Sequence, residues 1–148
     1  MKIEKEKFDE RQLQIRGDIF KHGFLTACAL MLLNAFLQGE GIGWANGFHQ
    51  NILMFIFAST VISVEFHLRD VYFGKEGRRI TFIAIFGFCS VLLLVLSVFH
   101  GVQGEKFVAD YRLTGNGFHI VGGIMFFANT ICALVQLLRE KQAERTIK

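Results

Sequence analysis

Residues 80–102 read ITFIAIFGFCSVLLLVLSVFHGV, a run of 23 positions without an Asp, Glu, Lys or Arg. Coiled as a helix at about 1.5 Å per residue, such a run is ~35 Å long, enough for a hydrocarbon core of about 30 Å. A membrane β-strand would end after about ten residues and would alternate in character, which this stretch does not. It is therefore expected to cross a membrane as a helix. Three further segments meet the same rule: Ile19 to Leu37, Phe48 to Leu68 and Phe118 to Leu138. Composition agrees, since 52% hydrophobic residues and 17 phenylalanines in 148 positions are too apolar for an ordinary soluble domain.

The fold class expected is all-α: a four-transmembrane-helix bundle forming a single transmembrane domain over 1–148, with an arm at 1–18 and a tail at 139–148. The first span is not read as a cleaved signal peptide, because its apolar stretch is long and Leu37-Gln38-Gly39-Glu40 is no small-x-small cleavage site. In the arm, Asp9 with Gln12 makes a capping box and Phe8 with Leu13 a hydrophobic staple, so a helix is expected to begin near Glu10 and run into the first span. Cys28, Cys89 and Cys132 fall in three different spans without CxxC spacing and read as small packing residues.

Of the 16 Lys and Arg residues, 14 lie in the arm, the middle loop and the tail, leaving Lys106 and Arg112 on the other side. The positive-inside rule then puts both termini in the cytoplasm. The net charge of +3 reports this sorting and attraction to anionic headgroups, and points to the lipid bilayer as a partner rather than to nucleic acid.

The chain also repeats itself. Asn46-Gly47-Phe48-His49 recurs as Asn116-Gly117-Phe118-His119, and the match runs on without a gap to Leu68-Arg69-Asp70 against Leu138-Arg139-Glu140, nine identities in 25 positions. Upstream, Gln38-Gly39-Glu40 answers Gln103-Gly104-Glu105. Two tandem helical hairpins in the same orientation are expected, related by an axis along the membrane normal.

Three sets of residues are candidates for function. Duplication brings Glu40, Glu105, His49 and His119 to the outer face, where carboxylates and imidazoles converging across a twofold would suit a metal or another ligand. The plainer reading is that Asn-Gly caps each helix, Phe anchors it and His rests at headgroup depth. Ser59 and Ser63, with Asn129 and Gln136, form a polar stripe that suits either helix packing in lipid or a hydrophilic path. Glu65 is an acid inside an apolar segment, but at 17 residues from Phe48, about 25 Å along a helix, it lies near the cytoplasmic interface, with Arg69 one turn on to pair with it. Trp44 reads as an interface anchor. Nucleotide-loop, GxSxG and HExxH signatures are absent, so no enzyme and no cofactor is expected.

The opening Asp9-Glu10-Arg11-Gln12 with Ile15-x-Gly17, and Glu65-x-x-x-Arg69-Asp70-x-Tyr72-x-Gly74 leaving the second span, resemble a group of small bacterial four-helix membrane proteins that share the acid-acid-Arg-Gln motif. The resemblance implies a bacterial plasma (inner) membrane location and carries no activity. The shared residues lie on the cytoplasmic side, which favours a docking face of Asp9, Glu10, Arg11, Gln12, Glu65, Arg69, Asp70 and Tyr72 on an accessory or regulatory subunit, for another protein or a second copy of the chain. The alternatives are a small oligomeric transporter or channel using the polar stripe, and an outer metal or ligand binder.

Overall fold

A computed structural model describes residues 10–69, 71 and 76–146. It contains four helices, α1 (Glu10–Gly39), α2 (Gly47–Leu68), α3 (Glu76–Val102) and α4 (Gly115–Thr146), with two short strands, β1 (Val108–Ala109) and β2 (Arg112–Leu113), between the last two helices. Each helix is long and apolar enough to cross a membrane. The arm and the first span are one continuous helix from Glu10; Phe8 and Asp9, the expected staple and cap, lie outside the described residues.

The helices end where glycine permits. Gly41 and Gly104 have φ of +76° and +86°, and each closes a Schellman turn: Ile42 N donates to Leu37 O at 2.8 Å, and Glu105 N to His100 O at 3.1 Å. The two Gln-Gly-Glu triplets are therefore not equivalent in structure. Gly104 is the left-handed residue of its turn, whereas in the first copy that place falls to Gly41, two residues past Gly39.

Packing runs α1 on α2, α2 on α4 and α4 on α3. Contacts of Gln38 with Gln50 and His22 with Glu65 make α1 and α2 an antiparallel hairpin. Those of Ser97 with Asn116 and Arg79 with Glu140 do the same for α3 and α4. The two hairpins meet along α2 and α4, which run parallel, His49 against Phe118 and Thr60 against Asn129. One end of the bundle thus holds the start of α1 and the end of α4, and is here called the terminal end; the other carries residues 40–46 and 103–114 and is the loop end.

At the loop end, β1 and β2 form a hairpin with Asp110 and Tyr111 at its tip, at φ 48° and 60°. Both central residues need positive φ in the mirror-image turn that a two-residue connection favours. Leu113 ties this hairpin to the first loop, its N donating to Trp44 O at 2.7 Å. No strand was expected here. Asp-Tyr is a poor signal for such a turn, since each non-glycine residue in the left-handed region costs ~1–2 kcal/mol.

Burial is inverted relative to a soluble domain. Phe24, Leu32, Phe36, Phe55, Phe88 and Val98 are all about two-thirds exposed or more, while Asn116, Asn129, Gln50, Ser90, Ser97 and Arg79 are buried. An apolar exterior over a polar seam is the distribution that suits a lipid-facing bundle, where small and polar residues rather than hydrophobic burial hold helices together.

Glycines show where the close approaches lie. A Cβ on Gly117 would meet Phe107 O at 2.4 Å, whereas nothing lies within 4 Å of one on Gly17. Gly117→Ala is expected to destabilise the fold by about 1–3 kcal/mol because backbone must move. Gly17→Ala, in an open helical position, should add roughly 0.5–1 kcal/mol. Reversible unfolding in detergent reads both; equal effects of the two changes would refute the close approach at the α4 start.

Candidate functional site

At the terminal end, helical periodicity turns charged residues of neighbouring helices towards one another. Glu65 accepts from Arg69, one turn on, at 2.7 Å, and both its oxygens lie 3.1 Å from His22 Nδ1 across the hairpin. Arg16 donates to Val71 O at 3.0 Å and its guanidinium carbon stands 5.5 Å from the Phe66 ring centre. These contacts pin α1 to the segment leaving α2, over a small core of Ile19, Phe66 and Val71. In the second hairpin Arg79, only 4% exposed, donates to Glu140. A guanidinium that deeply buried needs its carboxylate, because an uncompensated buried charge costs several kcal/mol.

Of the docking residues expected from the sequence, Glu10 and Arg11 are exposed, Gln12 is half-buried, and Glu65 and Arg69 are joined in the pair just described. Asp9, Asp70 and Tyr72 lie outside the described residues. Sequence reading missed the partners from other helices, Arg16, His22, Arg79 and Glu140, which only the hairpin registers bring together.

The polar stripe needs one correction. Asn129, 1% exposed, donates through Nδ2 to Thr60 Oγ1 at 3.1 Å and to Met125 O at 2.9 Å, while Ser59 is exposed on the outside of α2. Equating position 129 with 59 by the repeat gave the wrong residue. The inward face of α2 runs Leu53, Thr60, Ser63 and His67, at the spacings of three, four and seven that mark one side of a helix. Ser63 and Gln136 are buried as expected. Ala133 is wholly buried between Asn129 and Gln136, so close packing separates the two amides along α4.

At the loop end the repeated Asn-Gly-Phe-His motifs do different work. Asn46 caps α2, accepting from His49 N at 2.8 Å. Asn116 is no cap: α4 starts at Gly115, and Thr114 Oγ1 receives Gly117 N at 3.3 Å instead. Wholly buried, Asn116 accepts from Ser97 Oγ at 2.5 Å and donates to Glu105 O at 3.0 Å, holding the α3 end to the α4 start. His49 stacks on Phe118 at 4.5 Å, and His119 on His100 at 5.2 Å, with Glu105 3.2 Å from His100.

The residues expected as a metal site are not arranged as a ligand set. Glu40 is exposed beyond the end of α1, and His100, unpaired in the repeat, stands beside Glu105 and stacks on His119. Among the described residues no group of three or more His, Cys, Asp or Glu side chains is placed to hold a metal ion. Stacked rings present faces, not lone pairs, to one another. Trp44 likewise turns inward, its Nε1 donating to Asn34 Oδ1 at 2.8 Å, so it ties the first loop to α1.

Comparison with protein-family models, with curated proteins and with solved structures finds no match to this chain.

Thr60→Val and Asn129→Leu, singly and together, should show a coupling energy of about 0.6 kcal/mol and no more than ~1.7, the range of interhelical hydrogen bonds in membranes. A double-mutant cycle in reversible unfolding measures it. Strict additivity would mean that the bond does not join the hairpins.

Proposed function

We propose that the chain is a four-crossing protein of a bacterial plasma membrane, built as two tandem hairpins with both termini in the cytoplasm. In this reading it is a non-enzymatic accessory or regulatory subunit that docks a protein partner on its cytoplasmic face. The distribution of Lys and Arg supports the orientation. The register of α2 on α4 supports the duplication: Thr60 meets Asn129 and His49 meets Phe118, both 69 positions apart, against a sequence offset of 70.

One observation carries the docking reading. Ties through His22, Glu65, Arg69, Arg79 and Glu140 brace all four helices at the terminal end, and α1 and α4 project past them as helix to Glu10 and Thr146. The projecting turns expose Arg11, Gln14, Lys141 and Arg145, and with them Leu13, 55% exposed although it lies outside the apolar run. A rigid base with mixed polar and apolar projections suits recognition of a protein more than passage of a solute.

Orientation is tested by thiol labelling in a background lacking Cys28, Cys89 and Cys132. Tyr111→Cys should react with a membrane-impermeant maleimide in intact cells, and Arg145→Cys only after permeabilisation; the reverse pattern overturns the topology. For docking, a photo-crosslinking side chain at position 13 or 145 should give an adduct of defined mass in native membranes, and one at position 111 should not. Silence at both 13 and 145 would remove the docking reading.

A further inference from the structure

The terminal end of the first hairpin contains a cavity of about 290 Å³, lined by Arg16, Phe20, Ile62, Ser63 and Phe66. Its walls differ in chemistry. Arg16 supplies a guanidinium, held in place by Val71 O at 3.0 Å and by the Phe66 ring. Phe20 and Phe66, packed edge to face at 5.3 Å, and Ile62 supply apolar surface. Ser63 is 7% exposed, and its hydroxyl has no hydrogen-bond partner among the described residues. A helical serine with nothing else to bond usually turns back to a carbonyl of the preceding turn; an unpaired one beside a cavity is a donor in need of an acceptor.

Position along the helix decides what kind of acceptor fits. Arg16 precedes the apolar run that starts at Ile19, whereas Phe20 and Ile62 lie within the runs. The ligand must therefore be polar at the membrane surface and apolar one turn deeper. Towards the bundle centre α1 and α2 come into close contact, since a Cβ on Gly23 would lie 2.1 Å from Ile62 Cγ1. The cavity is smaller than the ~300–1,000 Å³ of drug-sized pockets. It has room for a phosphate group and the first part of a chain, with the remainder left in the bilayer.

We infer that this cavity binds the phosphate headgroup of an anionic glycerophospholipid from the cytoplasmic leaflet. Arg16 contacts the phosphate, the Ser63 hydroxyl donates to an ester or glycerol oxygen, and the upper acyl chain lies along Phe20 and Ile62. Basic pockets between helices on the cytoplasmic side favour such lipids because charge-assisted bonds form where water is scarce. Free phosphate would use Arg16 but leave the apolar walls uncovered. The inference rests on the membrane insertion and orientation proposed above.

Native mass spectrometry of the full chain in a neutral detergent, titrated with phosphatidylglycerol, phosphatidylcholine or inorganic phosphate, tests it. Phosphatidylglycerol should be retained as a one-to-one adduct. Arg16→Gln should weaken it about tenfold, the loss of one charge-assisted contact, and Arg16→Lys should weaken it less. Arg112→Gln, which removes the same charge at the loop end, should leave it unchanged. Ser63→Leu, which keeps Arg16 but fills the cavity, should abolish the adduct, so the test survives if Arg16→Gln fails to fold. Equal retention of phosphatidylcholine, equal retention of free phosphate, or equal loss in Arg112→Gln would each overturn the site. Because the binding is read in detergent, a reversed labelling pattern would refute the topology without altering this result, and loss of lipid selectivity would refute the site without altering the topology.

Discussion

The two hairpins are joined by one long seam, α2 against α4, and at its middle Asn129 reaches across to Thr60. In an apolar surrounding this bond has no water to compete with, and it uses the Asn129 amide donor that the bond to Met125 O leaves over. In a bilayer hydrophobic burial would not substitute for it, because a leucine gains little by leaving lipid for protein. Small residues act in the same direction. Ala133 is wholly buried one turn from Asn129, and Ser90 donates to Gly123 O at 2.9 Å where α3 meets α4. The close approach that admits these short bonds leaves little room for added bulk, since a Cβ on Gly123 would lie 2.9 Å from Leu94. Polar contacts and small-residue packing therefore go together on both faces of α4, towards α2 and towards α3.

How much of this could be read in the sequence follows from which signals are local. Helix number, length and order were legible because a run of about 20 apolar residues has few other solutions. The Glu65–Arg69 pair was legible because one turn of helix fixes it. The β-hairpin at 108–113 was not, since its tip is Asp-Tyr and it is held by Leu113 N on Trp44 O, a contact between two loops far apart in sequence. Nor could the sequence distinguish Ser59 from Thr60 as the partner of Asn129. One residue turns a helix by about 100°, so a register off by one moves a side chain from the seam to the exterior.

The repeat in the sequence is a poor guide to individual roles. Identical Asn-Gly-Phe-His motifs yield a cap in one copy and a buried strut in the other, because Thr114 offers an earlier cap and leaves Asn116 inside the first turn of α4. Gln38 and Gln103 diverge in the same way: Gln38 donates to the buried Gln50 at 2.6 Å, whereas Gln103 is exposed. The longer second loop accounts for the first difference. It folds back as β1 and β2 over the α4 start, where the carbonyls of Glu105 and Phe107 accept from the Asn116 and Thr114 side chains.

The terminal end follows a different logic, because there the two hairpins meet the same need by different means. Each hairpin is open at that end, and each closes it with an acid on its second helix and a base on its first. The first uses Glu65 with His22, the second Glu140 with Arg79. In the repeat Glu65 corresponds to Val135 and Glu140 to Asp70, so the two ties stand five positions apart on equivalent helices, about 7.5 Å in height. A tie at the deeper position needs more than one base to offset the desolvation of its carboxylate, and Glu65 has both His22 and Arg69. The carboxylate of Glu140 sits nearer the helix end and is more exposed, so water supplies part of what the second base gives Glu65. Glu65 is thus accounted for as a structural acid. The hydroxyl that these ties leave unsatisfied is that of Ser63, and it stands in the same cavity wall as the Arg16 guanidinium.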